Sequence, residues 1–194
     1  MPKILILFAH PRLENSRVNS RMLEEIPELE NITFHDLYEN YPDFNIDIEF
    51  EKEQLLEHEI IIWHHPFYWY SAPPLLKQWI DMVLEYGWAY GSRGDKLKGK
   101  IIFNAITTGG GEEAYCEQGY NTYSINQFMQ PFEQTAKLCS MEYLPPFTVM
   151  GTHKMKQEQI ERSAISYGRL LNYLSKTDLD LKLARSGKYL NEIL

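Results

Sequence analysis

Three runs of apolar residues constrain this chain more than anything else in it. Ile4-Leu5-Ile6-Leu7-Phe8-Ala9, Ile60-Ile61-Ile62-Trp63 and Ile101-Ile102-Phe103-Asn104-Ala105-Ile106 show no alternation of apolar and polar positions. Successive side chains of a strand point to opposite faces, so a strand without alternation is buried on both, as in a parallel sheet covered by helices. Between the runs lie segments with helical spacing, first Val18, Met22, Leu23 and Ile26, then Leu75, Leu76, Trp79, Ile80 and Val83. Strand and helix in alternation predict an α/β chain. A shorter strand is expected over residues 32–35, a polar helix over 48–58, and a last strand near 142–144 or 147–150. The final helix carries Ile160, Ala164, Tyr167, Leu171 and Leu174 on one stripe. This pattern over 194 residues fits a single doubly wound, five-stranded parallel sheet with helices on both faces.

Three segments break the regularity. Pro131 falls inside the apolar spacing Ile125, Phe128, Met129, Phe132 and Ala136, so that helix is expected to kink or to start late. Residues 41–47, Tyr-Pro-Asp-Phe-Asn-Ile-Asp, make a long polar-aromatic connection. A mixed-charge tail over 178–194 lies beyond the last expected helix, which divides the chain into a domain at 1–176 and an extension at 177–194 of no evident role.

Charge and cysteine content narrow the function classes. Lys and Arg number 19 against 27 Asp and Glu, a net charge of −8, with no basic tract to displace counterions from nucleic acid or an acidic membrane. Cys116 and Cys139 have no CxxC spacing, which fits a reducing compartment. The first apolar run is too short for a signal core or for a span of ~20 residues, so a cytoplasmic protein is expected, reaching the inner membrane only through a partner.

In a doubly wound sheet, ligands bind outside the carboxyl ends of the strands. The loops after strands one, three and four are the least ordinary parts of this sequence. After the first come His10 and then Ser16, Arg17, Val18 and Asn19, with Ser16 and Asn19 spaced as the cap and third residue of a helix, an arrangement that suits a phosphate or a plain helix cap. Neither GxGxxG nor GxxxxGK[ST] is present. After the third come Phe67, Tyr68, Trp69 and Tyr70, four consecutive rings that cannot all point inward from a loop. His64 and His65 precede them, but strand neighbours face opposite ways, so no metal is expected. After the fourth come Thr107, Thr108, Gly109, Gly110 and Gly111, where a planar ligand can approach the backbone closely. A phosphate cradle, an aromatic shelf and a glycine edge on one rim match the parts of a flavin mononucleotide.

On these residues the chain resembles the flavodoxin-like NAD(P)H:quinone oxidoreductase family, and within it the ancillary subunits of bacterial glutathione-regulated potassium-efflux systems. The resemblance runs over residues 3–174. It rests on residues 5–11 (Leu-Ile-Leu-Phe-Ala-His-Pro), 41–47, His65-Pro66, 69–81 (Trp-Tyr-Ser-Ala-Pro-Pro-Leu-Leu-Lys-Gln-Trp-Ile-Asp), 87–91 (Gly-Trp-Ala-Tyr-Gly) and 107–112 (Thr-Thr-Gly-Gly-Gly-Glu).

It implies FMN, or FAD, held noncovalently. It also implies a homodimer with its sites at the subunit interface, and ping-pong reduction of quinones by NADH or NADPH in two-electron steps. By motif, His10 and residues 16–19 would hold the phosphate, Phe67 to Tyr70 the rings, and Thr107, Thr108, Gly109 and Gly110 the pyrimidine edge. Tyr115 takes the place of the family's catalytic Tyr, but the companion His position holds Asn121. An alternative from another class is a regulatory subunit that docks on a potassium-efflux membrane protein, with Trp88, Tyr90 and the tail as docking elements. A one-electron carrier is a third reading.

Overall fold

The computed structural model describes residues 1–176 and 179–193. β1 (Ile4–Phe8) pairs in parallel with β2 (Ile32–Asp36) on one side and with β3 (Ile60–Pro66) on the other, and β3 pairs with β4 (Ile101–Thr108). Every residue of β1 and β3 is buried, as the unbroken apolar runs require. The position beyond β4 is filled in two pieces, so both segments considered for the last strand form. β5 (Glu142–Tyr143) pairs with the start of β4, and β6 (Phe147–Met150) pairs with its end. Pro145 and Pro146 lie between them and have no N–H to give to the ladder, which is why it is interrupted. The sheet order β2-β1-β3-β4-β5 reverses between β1 and β3.

The helices divide the strand side chains between two cores. Ile4, Ile6, Ile60, Ile62 and Phe103 pack against Val18 and Met22 of α1 (Arg17–Leu23). The eight-helix sequence continues with α2 (Leu37–Asn40), α3 (Ile48–Glu57), α4 (Pro74–Val83), α5 (Ile125–Phe128), α6 (Gln130–Leu138), α7 (Gln157–Lys176) and α8 (Leu181–Ser186), counted among the described residues. Ile160, Ala164, Tyr167, Leu171 and Leu174 of α7 complete the first core. Leu5, Leu7, Ile61 and Trp63 face the other way, against Leu55 of α3, Leu76 and Trp79 of α4, and Phe132 and Ala136 of α6. Each fully buried Leu, Ile, Phe or Met among these side chains contributes about 1.5–3 kcal/mol. The helix expected around Pro131 is two helices: α5 ends at Phe128, and α6 begins with Pro131 in its first turn, where a missing N–H costs nothing.

The 41–47 connection is an internal strut. Asp47 caps α3 by accepting from the Phe50 N–H at 3.1 Å. One turn on, Glu51 of α3 is fully buried. Its carboxylate accepts from His35 Nε2 (2.6 Å), the Tyr41 hydroxyl (2.6 Å) and Trp79 Nε1 (2.8 Å). One acidic side chain therefore joins β2, the connection, α3 and α4.

The tail is an edge cover. Residues 177, 178 and 194 lie outside the described residues, but Ala184 and Leu190 join the core beneath α7. Asn191 both accepts from the Thr148 N–H (2.9 Å) and donates to the Thr148 carbonyl (2.9 Å), while the Leu190 N–H donates to Pro146 O (3.0 Å). These bonds occupy the open side of β6, which would otherwise offer unpaired backbone groups to another chain. Arg185 to Glu142 and Lys188 to Glu112 (2.6 Å) pin the tail further.

Trp88 and Tyr90, expected as exposed docking aromatics, are instead half-buried against the second core. Lys52 Nζ lies 5.6 Å from the Trp88 ring, and Tyr86 meets Tyr90 edge-on and covers Gly91. Among the described residues no helix is long and apolar enough to cross a membrane.

Replacing Glu51 by Ala would leave three buried donors without an acceptor, each costing about 1–3 kcal/mol. We expect Glu51→Ala to lower the unfolding free energy by about 3–5 kcal/mol in urea titrations, with Glu51→Gln intermediate.

Candidate functional site

A cleft of about 780 Å³ opens at the carboxyl ends of β1, β3 and β4, next to the strand reversal. Its first wall is the turn into α1. Ser16 is the helix cap, and its Oγ accepts from the Asn19 N–H (3.3 Å) and from the Asn19 side-chain amide (2.9 Å). The N–H groups of Arg17 and Val18 have no acceptor among the described residues. His10 closes the same wall. Its Nδ1 accepts from the Arg12 N–H (3.1 Å), which leaves the hydrogen on Nε2, and burial lowers its pKa. Arg12, Asn15 and Arg17 stand around the mouth, giving an acidic protein a locally basic opening.

The second wall is the loop after β3. Its four rings separate as their number requires: Phe67 is buried, Tyr68 and Tyr70 are 43% and 49% exposed, and Trp69 is 93% exposed. Trp69 and Tyr70 both have positive φ, 48° and 64°, and the Ser71 N–H donates to Tyr68 O at 3.0 Å. Two left-handed residues at the centre of a hydrogen-bonded turn ordinarily call for Asn and Gly, and bulky side chains there cost roughly 1–2 kcal/mol each. Phe67, Tyr68 and Trp69 line the cleft. Tyr70 turns away, stacking on Phe128 at 5.0 Å and donating to Asn121 Oδ1 at 3.2 Å.

The third wall is the exit from β4, where Thr107 and Gly109 line the cleft. The N–H groups of Gly109, Gly110 and Gly111 donate to nothing among the described residues. The Thr108 hydroxyl donates to Gly110 O (2.7 Å), and Gly110 lines an adjoining cleft of about 490 Å³ instead. Tyr115 stands behind the wall. It is buried among Phe67 and Phe128, burial raises its pKa, and a hydrogen bond with the Thr108 side chain partly offsets that rise. Of the residues expected at the site, the structure thus gathers ten around one cleft, and Tyr70, Thr108, Gly110 and Tyr115 back or flank it.

Two hydrogen-bonded chains brace these walls from below. His64 Nε2 donates to Asn19 Oδ1 (3.2 Å), and its Nδ1 accepts from the Tyr167 hydroxyl (3.2 Å). The Asn19 amide in turn donates to Thr107 Oγ1 (3.1 Å), so β3, α1, β4 and α7 are tied at one point. On the opposite face His65 Nδ1 donates to Pro66 O (2.9 Å), and its Nε2 accepts from Asn104, which accepts from the Tyr143 hydroxyl (2.6 Å). Both imidazoles use both nitrogens inside the protein.

Thr152 and His153, in the turn after β6, complete the cleft opposite the aromatic loop. Sequence reasoning missed them, along with Arg12 and Asn15, because a single His in Gly151-Thr152-His153-Lys154 carries no spacing signal.

A model of the flavodoxin-like fold family matches residues 2–171, and the chain belongs to that family. Particular relatives follow. The uncharacterized NAD(P)H oxidoreductase YdeQ of Bacillus subtilis (strain 168) is 41% identical over 191 residues, 98% of this chain and 95% of that protein. The glutathione-regulated potassium-efflux system ancillary protein KefG of Serratia proteamaculans (strain 568) is 46% identical over 167 residues, 86% of this chain and 91% of its own length. The crystal structure of general stress protein 14 from Treponema denticola in complex with FMN matches with a TM-score of 0.83 at 41% identity, over 89% of this chain and 99% of that one.

Two outcomes follow from this geometry. Burial pushes the pKa of His64 down to about 3, with His65 and His10 adding to the effect, and that of His65 down to about 4, whereas both titrate near 6.5 when unfolded. Below pH ~6.5 the unfolded chain binds more protons than the folded one. Stability that is complete above that pH should therefore fall on acidification, by up to about 1.4 kcal/mol per pH unit for each imidazole. Urea midpoints between pH 7.5 and 5 measure it. Separately, Trp69→Gly relieves a left-handed backbone at the loss of almost no packing, and should leave the ligand-free chain as stable or up to about 1 kcal/mol more stable by urea unfolding.

Proposed function

We propose that the chain is a flavin-dependent NAD(P)H:quinone oxidoreductase with FMN in the 780 Å³ cleft. One observation carries the reading: unpaired backbone donors, exposed rings and a glycine edge, the three kinds of surface FMN needs, border a single cavity. The Arg17 and Val18 N–H groups, with His10 Nε2, hold the phosphate. Phe67 and Trp69 line the ring system, and Thr107 and Gly109 meet its polar edge. Tyr68 packs edge-on to His10 at 6.0 Å and joins the phosphate wall to the ring wall. The FMN-bound general stress protein 14 and the NAD(P)H oxidoreductase relative support the cofactor and its electron donor.

When bound, the flavin supplies a two-electron carrier between the nicotinamide and the quinone. The chain's part is to bind, orient and exclude. The N–H groups of Gly109 and Gly110 stabilise negative charge near them, and the turn at Trp69 keeps a ring at the mouth. NADH or NADPH and the quinone occupy the mouth in turn, which makes the kinetics ping-pong. Tyr115, behind the wall, supports the Phe67 ring, and its hydroxyl is the proton donor that the motif resemblance suggests. The rings left exposed at Tyr68, Trp69, Tyr70 and Tyr86 are the surface that a homodimer covers.

A second reading is favoured by the potassium-efflux ancillary relative: a subunit that binds and regulates a potassium-efflux membrane protein, with the same cleft occupied. It places the chain at the inner membrane through that partner and is compatible with turnover.

The test is direct. Purified protein should be yellow, release FMN on heating, reduce quinones with NADH or NADPH in parallel-line double-reciprocal plots, and sediment at twice 22.9 kDa. A protein that takes up neither FMN nor FAD refutes the cofactor, and intersecting lines refute the ping-pong order. Tyr115→Phe should stay yellow and slow quinone reduction by ~100-fold if its hydroxyl is the proton donor.

A further inference from the structure

The six histidines are not equivalent. His35 is bound to Glu51, His58 to Gln54 O (2.6 Å) and Thr33 Oγ1 (2.8 Å), and His64 and His65 use both nitrogens in the braces below the cleft. His10 has committed Nδ1 to the Arg12 N–H. Only His153 has neither ring nitrogen engaged among the described residues, and it lines both the main cleft and the adjoining one.

Its position is fixed although its ring is free. Gly151 N–H donates to Gly110 O (2.8 Å) and Thr152 N–H to Thr108 O (3.0 Å), which extends the β4–β6 ladder up to the glycine loop. The Lys154 N–H then donates to Gly151 O (3.0 Å), closing a turn with His153 at its tip. That turn lays the imidazole on Gly109, where a Cβ would collide with the ring. A side chain at 109 would therefore have to displace the imidazole. The ring stands beside Gly109, it shares the adjoining cleft with both Gly109 and Gly110, and the amides of both glycines donate to nothing among the described residues.

We propose that His153 is a cofactor-contacting residue, whose imidazole N–H donates to the polar edge of the flavin lying against Gly109. This rests on the cofactor reading above. It gives that edge a side-chain donor from the turn after β6, while Asn121 remains committed to Tyr70. A buried ligand acceptor that loses one donor of this kind binds roughly tenfold more weakly.

The experiment is a titration of the labelled full chain with FMN, following the imidazole resonances, which are assigned by difference with His153→Asn. The His153 signal should move in step with FMN binding, and FMN should dissociate about tenfold more readily from His153→Ala, whose exposed side chain leaves the fold intact by circular dichroism. An imidazole signal that stays in place at saturating FMN, or an affinity for His153→Ala within about twofold of wild type, overturns this inference and leaves the cofactor reading standing. A wild-type chain that does not bind FMN overturns both.

Discussion

Because β1, β3 and β4 are buried on both faces, almost no polar chemistry can sit along their length, and it is forced to their carboxyl ends. Trp63 Nε1 of β3 is buried without a partner among the described residues, but the other exceptions are matched. His64, His65 and Asn104 lie within the sheet, and each has its hydrogen-bonding groups matched within the braces, as burial without water demands. Those same bonds reach upward to Asn19, Thr107 and Pro66. The requirement to satisfy buried polar groups and the requirement to hold three loops in register are met by one set of contacts.

Rigid support below allows strain above. Trp69 and Tyr70 occupy backbone conformations that their side chains disfavour, and Trp69 gains almost no burial in return. Anchors on either side keep the turn in place: the Phe67 N–H donates to Thr107 O at 2.8 Å, and Tyr70 is held by Phe128 and Asn121. A left-handed pair of aromatics, held at the mouth of a cleft by a scaffold that could have used glycine, is the kind of outlier from which function is fairly inferred.

Much of this was legible in the chain because burial leaves a periodic trace. Unbroken apolar runs announce two-sided strands, and the 3.6-residue stripes on α4 and α7 announce their covering helices. The three loops could be read because Ser16 and Asn19, four consecutive rings and three glycines each depart from ordinary loop composition. What escaped was whatever depends on long-range geometry with no local repeat. Asn191 reads as one polar residue in a tail, yet its amide imitates a strand neighbour for Thr148. Glu51 reads as one more charge on a polar helix, yet it is fully buried at the meeting of four elements.

The tail and the site are also joined, through the segment that follows the glycines. Lys188 pairs with Glu112 at 2.6 Å, and the Asn126 amide donates to Lys188 O at 3.2 Å, so both ends of the 112–126 segment are tied to the edge cover of β6. That segment carries Tyr115 and Asn121, which hold Phe67 and Tyr70 from behind. Closing the open edge of the sheet therefore does more than prevent pairing with another chain. It fixes the back of the aromatic wall, so the extension beyond the family's matched span contributes to the shape of a cleft it does not touch.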